Sequence, residues 1–399
     1  MLALIVLLSL AKSTNAQAFK VLHTFTGHSD GGDPFGGLVS DSSGNFYGTV
    51  QTGGANGVGG VFEISAVGKE KVISSFATLA DGFGPFGTLV RDADGNLYGT
   101  TFFGGDTNCG GVGCGVVFKI NTSNKETVLY TFTGGSDGGA PMGGVILDGS
   151  GNLYGTTTIG GDLNCNPGGN NPGCGLVFKL SPGGTEKVLY TFTGPDGEVP
   201  EASLVMDAAG TLYGTTFGGT TSCGEVFKLT TAGKFKVLHG FPCGGTDGAE
   251  PTSAVILDTV GNIYGTTVAG GGGTDCTAPG CGTVFKISTN GTERVLYAFS
   301  GGSDGWAPNG ALLLDSKGNL FGTTEQGGDL ACPGKNGIGC GVVFTLDPHN
   351  AFNVLHAFNG SNDGSVPTGP LVQDSQGRLY GDASGGGTNN SGTVFRVTP

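Results

Sequence analysis

Charge is what this 399-residue chain most lacks: Asp, Glu, Lys and Arg make up 13% of it, with 18 basic residues against 32 acidic ones. The few basic residues are scattered, and a net charge of −14 repels a phosphate backbone, so nucleic acid is excluded as a partner. No apolar run reaches the ~18 residues of a membrane-spanning helix, and no stretch holds a helical period. A membrane span in the mature chain and a helical core are both unexpected. Tryptophan occurs once and histidine five times. With no G-x-S-x-G elbow and no serine repeatedly set beside a base, the common hydrolase machinery is missing. No C-x-x-C pair and no nearby His supplies a tetrahedral zinc set either.

What the chain has instead is glycine, 83 residues of it, set in a repeat. Asp137 to Thr157 reads DGGAPMGGVILDGSGNLYGTT, and close copies occur seven times. From the Asp of the DGxxP turn to the aromatic of LYG is 17 residues in every copy: Asp30/Tyr47, Asp81/Tyr98, Asp137/Tyr154, Asp196/Tyr213, Asp247/Tyr264, Asp304/Phe321 and Asp363/Tyr380. All length variation therefore falls elsewhere in the repeat.

Each copy divides into four short apolar segments separated by Gly, Asp, Asn and Pro clusters, the pattern of strands joined by turns. In the third copy the expected strands are 144–147 (A), 152–157 (B), 176–180 (C) and 188–192 (D). Between A and B stands D-x-x-G-N, as in Asp148 to Asn152, where Gly supplies positive φ and Asp accepts backbone hydrogen bonds. Four antiparallel strands at intervals of 51 to 59 residues match a propeller blade, so the expected fold is all-β, a seven-bladed β-propeller over residues 17–399. The seventh copy stops after strand C, at Val394 to Val397, while an orphan strand D, Phe19 to Phe25, precedes the first. Joining them would close the ring and remove an exposed edge.

Residues 1–16 read as a signal peptide, with an apolar run from Leu2 to Leu10 and small residues at Thr14-Asn15-Ala16. Ten cysteines agree with export and sort into five disulfides: Cys109/Cys114, Cys165/Cys174, Cys276/Cys281 and Cys332/Cys340 within B–C loops, and Cys223/Cys243 across one blade end. The expected location is secreted, with periplasm or cell surface as variants of it.

The phrases VLYTFTGGSDGGAPMGGVILDGSGNLYGTT and GLVFKL resemble the GloVer tandem repeats of exported "choice-of-anchor" proteins over about residues 19–399. More distantly, P-x-G followed by D-x-x-G-N-L-Y resembles the blade motif of NHL and lyase-type propellers. The resemblance implies secretion and a repetitive β architecture; it transfers no activity and no site.

The DGxxP aspartates could form a carboxylate ring for Ca²⁺, but their presence in every copy points to turn caps, and no cofactor is expected. His23, His239 and His356 occupy the strand-D position held by Tyr130, Tyr190 and Tyr297 and read as packing substitutes. His349 falls in a C–D turn, which leaves His28 on the loop-bearing face. Residues that break the repeat there are Trp306 and Glu325 in the sixth copy, Asp382 where others have Thr, Glu198 and Glu201 in the fourth, and Phe102 and Phe103 in the second. Trp306, Glu325 and Asp382, with His28, are expected to form a ligand patch, an aromatic platform with carboxylates such as a sugar would use. The expected function is a secreted, non-enzymatic binding or surface-assembly module whose partner is an extracellular glycan or a surface protein. Two alternatives stay open: a polysaccharide or lactone lyase or hydrolase using carboxylates near the central channel, and a structural subunit of an extracellular array or filament.

Overall fold

The computed structural model describes residues 18–165, 172–273, 276, 280–332 and 337–399. The expected leader lies outside the described residues. The chain forms a seven-bladed β-propeller in which each blade is an antiparallel sheet of four strands, A innermost and D outermost, with the short Gly32–Pro34 added to strand B of the first. In blade three these are Ile146–Leu147, Leu153–Thr157, Leu176–Leu180 and Glu186–Thr191. The ring closes as the orphan strand requires: Ala18–Thr24 runs antiparallel to Thr393–Thr398, with Phe19 opposite Val397 and Lys20 opposite Arg396.

Strand boundaries differ from expectation in two places, each with a cause. Strand A shrinks to two residues because the segment before it runs against the backbone of the next blade. A Cβ on Gly87 would lie 2.2 Å from the Gly144 nitrogen, and one on Gly144 would lie 2.0 Å from the Thr88 carbonyl. Glycine here sets how tightly the blades close around the axis. Strand D starts earlier because every C–D pair carries a bulge. In blade three Val188 faces Phe178 and Tyr190 faces Val177, which leaves Leu189 as the extra residue. Two consecutive apolar residues, Val then Leu, thus serve one bend of the outer strand.

The core lies between blades. Strand C of each blade contributes one fully buried Phe, and the residue closing strand D of the preceding blade contributes another. They meet edge to face at every junction, as in Phe25 with Phe62 (ring centroids 5.1 Å apart), Phe132 with Phe178 (5.1 Å) and Phe299 with Phe344 (5.4 Å). Such a pair contributes about 0.5–1.5 kcal/mol beyond its buried area. The Gly of LYG makes room for this ring: a Cβ on Gly155 would stand 2.6 Å from Cζ of Phe178.

The aspartates cap turns as read. Asp148 accepts from the backbone N–H of Ser150 and Asn152, from Asn152 Nδ2 and from the Tyr154 hydroxyl. Asp304 accepts from the Ser300 N–H and hydroxyl and from the Tyr297 hydroxyl. All five expected disulfides form, with Cα atoms 5.0 to 5.7 Å apart.

Candidate functional site

Two kinds of segment build the loop-bearing face: the D–A connections with their DGxxP turns, and the B–C loops. Short bridges join them within a blade, as between Phe83 and Phe103, Glu198 and Gly218, and Trp306 and Gln326. The residue just before each Pro is left-handed in all blades, although only blade two has a glycine there (Gly84). Asp33, Ala140, Val199, Glu250, Ala307 and Val366 have φ between 52° and 58°. For a β-branched residue this is a strained backbone, about 1–3 kcal/mol each.

What holds it is the preceding blade. Val199 donates its N–H to the Cys174 carbonyl (3.0 Å), Glu250 to Cys223 (2.7 Å), Ala307 to Cys281 (3.0 Å), Val366 to Cys340 (2.9 Å) and Ala140 to Cys114 (2.7 Å). Each of those cysteines belongs to a disulfide. The covalent loops therefore fix the carbonyls that set the turns of the neighbouring blade.

Directly after each Pro, one side chain from each blade points to the mouth of the central channel: Phe35, Phe86, Met142, Glu201, Thr252, Asn309 and Thr368. The channel encloses about 360 Å³. Its mouth is divided. On blades one to three it is apolar, and Phe35 and Phe86 meet edge to face at 5.4 Å, backed by Phe102 and Phe103. On blades four to seven it is polar. The Thr252 hydroxyl donates to Asn309 Oδ1 (2.6 Å), and Asn309 Nδ2 donates to Glu325 Oε1 (2.6 Å). Burial, with the charge of Glu250 beside it, pushes the Glu201 carboxyl up to about 7.

Charge is segregated along the ring axis as well. Every described Lys and Arg lies on an A–B or C–D turn, or on strand residues beside one, or at the matching register in blade seven. Among the described residues none lies on a D–A connection or a B–C loop, which carry Asp33, Asp106, Asp162, Glu198, Glu201, Glu250 and Asp329.

The residues singled out in the sequence fall in three places. Trp306 and Glu325 lie on neighbouring segments of blade six but are used differently: Trp306 is bonded through its backbone to Gln326 and its ring packs on the blade core, while the Glu325 carboxylate takes the Asn309 amide at the mouth. His28 is exposed on the D–A turn of blade one, away from the mouth lining. Asp382 does not reach the surface. It is 1% exposed, set in the wall between the last blade and the first, where Oδ2 accepts from the Gly37 N–H at 3.1 Å. Its column explains this, since the equivalent Thr100 and Thr156 donate across the next junction to the Gly143 and Ala202 carbonyls (2.9 and 3.0 Å). An acid in that column points at the adjoining blade, not at solvent.

Phe35, Phe86, Met142, Thr252 and Asn309 were not singled out in the sequence. The signal was there: between an invariant Pro and a small or polar residue, one column reads F, F, M, E, T, N, T.

A family model described as the Gloeobacter/Verrucomicrobia repeat matches residues 9–166, 113–278, 165–331 and 272–399. No curated protein sequence matches the chain. Among solved structures, the extracellular domain assigned to a hybrid two component system of B. thetaiotaomicron is similar in fold, with a TM-score of 0.58 and 11% identity. That likeness covers 95% of this chain and 39% of the other. A Mycobacterium tuberculosis puromycin-hydrolyzing peptidase gives 0.55 and 12%, over 93% of this chain and 52% of that one. At these identities the fold alone is shared, and this chain spans well under two thirds of either protein.

Proposed function

Starting from a chain that belongs to the Gloeobacter/Verrucomicrobia repeat family over nearly its whole length, we propose that it is a non-enzymatic extracellular binding module whose ligand enters the channel mouth on the loop-bearing face. The ligand it suits is an amphipathic cation. Its apolar part lies against Phe35, Phe86 and Met142, and its positive group against Glu201 and Glu250. The observation that carries this reading is the divided mouth on a face without a described Lys or Arg. Among the described residues of that face a cation meets no competing Lys or Arg, and the half-buried Glu201 loses its unfavourable isolation when one arrives. Five disulfides favour an oxidising compartment.

The test is calorimetric titration of the full chain with a short amidated peptide carrying arginine beside phenylalanine. Saturable binding that weakens with salt, and falls at least tenfold in E201Q/E250Q, is expected. Equal binding of the same peptide with glutamate in place of arginine would overturn the reading. A glycan is the second reading, favoured by Trp306, paired through its backbone with Gln326 at the edge of the same face. Binding of a neutral oligosaccharide that is lost in Trp306→Ala and kept in E201Q/E250Q would establish it instead.

A further inference from the structure

The outer rim holds a recurring constellation that the channel does not involve. At each blade junction three positions meet: the second-to-last residue of one strand D, the Asp of the following DG turn, and the first residues of the next strand D. Most junctions bond or stack two of these groups with one another. Tyr130 and Tyr297 donate their hydroxyls to Asp137 (3.1 Å) and Asp304 (2.9 Å), and Ser74 donates to Glu126 (2.9 Å). Where the next strand begins with Phe, the rings stack, as Tyr190 does on Phe235 (4.0 Å) and His356 on Phe19 (3.6 Å).

The junction between blades four and five differs. Like the junction of His23, Asp30 and Glu70, it combines a histidine with a glutamate and no covering ring, but here the three groups converge. His239 Nε2 stands 3.2 Å from Asp247 Oδ2, and the ligand atoms of His239, Asp247 and Glu293 all lie within 4.8 Å of one another. Glu293 Oε1 is buried and has no hydrogen-bond partner, as is true of Glu70, Glu126 and Glu186 at the matching places, but among the described residues only here does the glutamate fall within this reach of a histidine and an aspartate. Asp247 Oδ1 accepts from the Gly248 N–H (2.7 Å), which turns its other oxygen toward the imidazole. The His239 ring is fixed edge to face on Phe241 (4.6 Å). An open cleft bounded by Thr246, Asp247, Gly271 and Glu293 gives access from solvent.

We propose that His239, Asp247 and Glu293 form a metal site for a borderline divalent cation of the Zn²⁺ or Co²⁺ kind. One imidazole nitrogen and two carboxylates select such ions over Ca²⁺, which takes six to eight oxygens. Ligands on a tetrahedral ion at ~2.0–2.1 Å stand roughly 3.3 Å apart, which the His239–Asp247 pair already matches. Glu293 need close by no more than about 1.5 Å, and the cleft leaves the fourth position to water or an incoming group. Because Glu293 belongs to blade five and His239 to blade four, the ion would clamp two blades. The pair His23 and Asp30 (3.3 Å) has Glu70 at the matching place, but those three do not fall within the same reach of one another. It serves as an internal comparison.

The repeat itself supplies variants that keep the fold. His239→Tyr installs the Tyr–Asp bond of blades two, three and five, and Glu293→Phe installs the stacked junction. Titrating the metal-free full chain with Zn²⁺ by calorimetry, and with Co²⁺ by absorption, should give one equivalent of tight binding and a raised Tm. Affinity should fall at least tenfold in H239Y and in E293F, each of which should fold like the parent by circular dichroism, and be unchanged in H356Y. Absence of saturable binding would overturn the assignment. So would binding that survives H239Y, or that is lost in H23Y and kept in H239Y.

Discussion

Asp382 is the position where one atom-level change should alter stability in a pH-dependent way. Its carboxyl is 1% exposed, Oδ2 takes the Gly37 N–H, and Oδ1 has no hydrogen-bond partner. Burial pushes the group up to about 7, only partly opposed by the Gly37 hydrogen bond. The folded pKa is raised, so the unfolded chain releases this proton first. The contribution to stability is therefore full at low pH and is lost as pH rises through about 7. Between pH 5 and 8 the loss has a ceiling of about 2.5 kcal/mol at 1.36 kcal/mol per unit, and an interior dielectric near 20 brings it to about 1–2 kcal/mol. Asp382→Asn keeps an oxygen for Gly37 and removes the charge. Measured by urea unfolding, the stability of D382N relative to the parent should rise by about 1–2 kcal/mol from pH 5 to pH 8. A gap that stays the same at both pH values, or a D382N protein less stable than the parent at pH 8, would refute the reasoning.

Other consequences are equally direct. Phe178→Ala removes one ring of an interblade pair and should cost about 3–5 kcal/mol by chemical denaturation. Gly155→Ala should cost about 1–3 kcal/mol, because its Cβ meets Phe178, whereas Gly149→Ala, whose Cβ meets nothing, should be nearly silent. Val199→Gly should leave stability unchanged or raise it, since the positive φ suits glycine, while a buried valine in ordinary strand geometry would lose stability on the same change. Replacing the Cys223–Cys243 pair by alanines, which opens a loop of 20 residues, should cost about 3 kcal/mol against about 2 for Cys109–Cys114 with its separation of 5. Equal Tm losses for the two pairs would contradict that ordering. At the acid end, burial raises the carboxyls of Asp41, Asp92 and Asp148, but hydrogen bonds from their own turns outweigh it and hold them below the usual range. Stability from these turns is present above about pH 4 and lost as pH falls through the lowered values, so Tm should drop steeply only below about pH 4.

Much of this architecture is visible in the sequence because the 17-residue spacing admits no length variation between the turn and strand B. Strand order, ring closure and the cysteine pairs all follow from where the variable lengths fall. What the repeat hides is radial depth. Asp382 and Glu325 both break the pattern near the end of strand B, yet one column points into the adjoining blade and the other, two residues further on, bonds a side chain at the mouth. The column after the invariant Pro looks like drift, since Phe, Met, Glu, Thr and Asn share no chemistry until the ring brings them around one axis. The bulge in strand D is equally hidden, because Val-Leu reads as an interrupted alternation until the extra residue is seen. His239 shows the limit from the other side: it does replace Tyr in bonding the turn Asp, and only the next blade reveals the glutamate beside it.

All assignments of face and channel depend on the first strand completing the last blade. Hydrogen exchange of the backbone amides in Ala18–Thr24 measures this most directly. The account predicts that the amides paired with Thr393–Thr398 exchange as slowly as those of the strand D residues Glu186–Thr191. Exchange of Ala18–Thr24 at the rate of an unstructured chain, with Glu186–Thr191 protected, would contradict it.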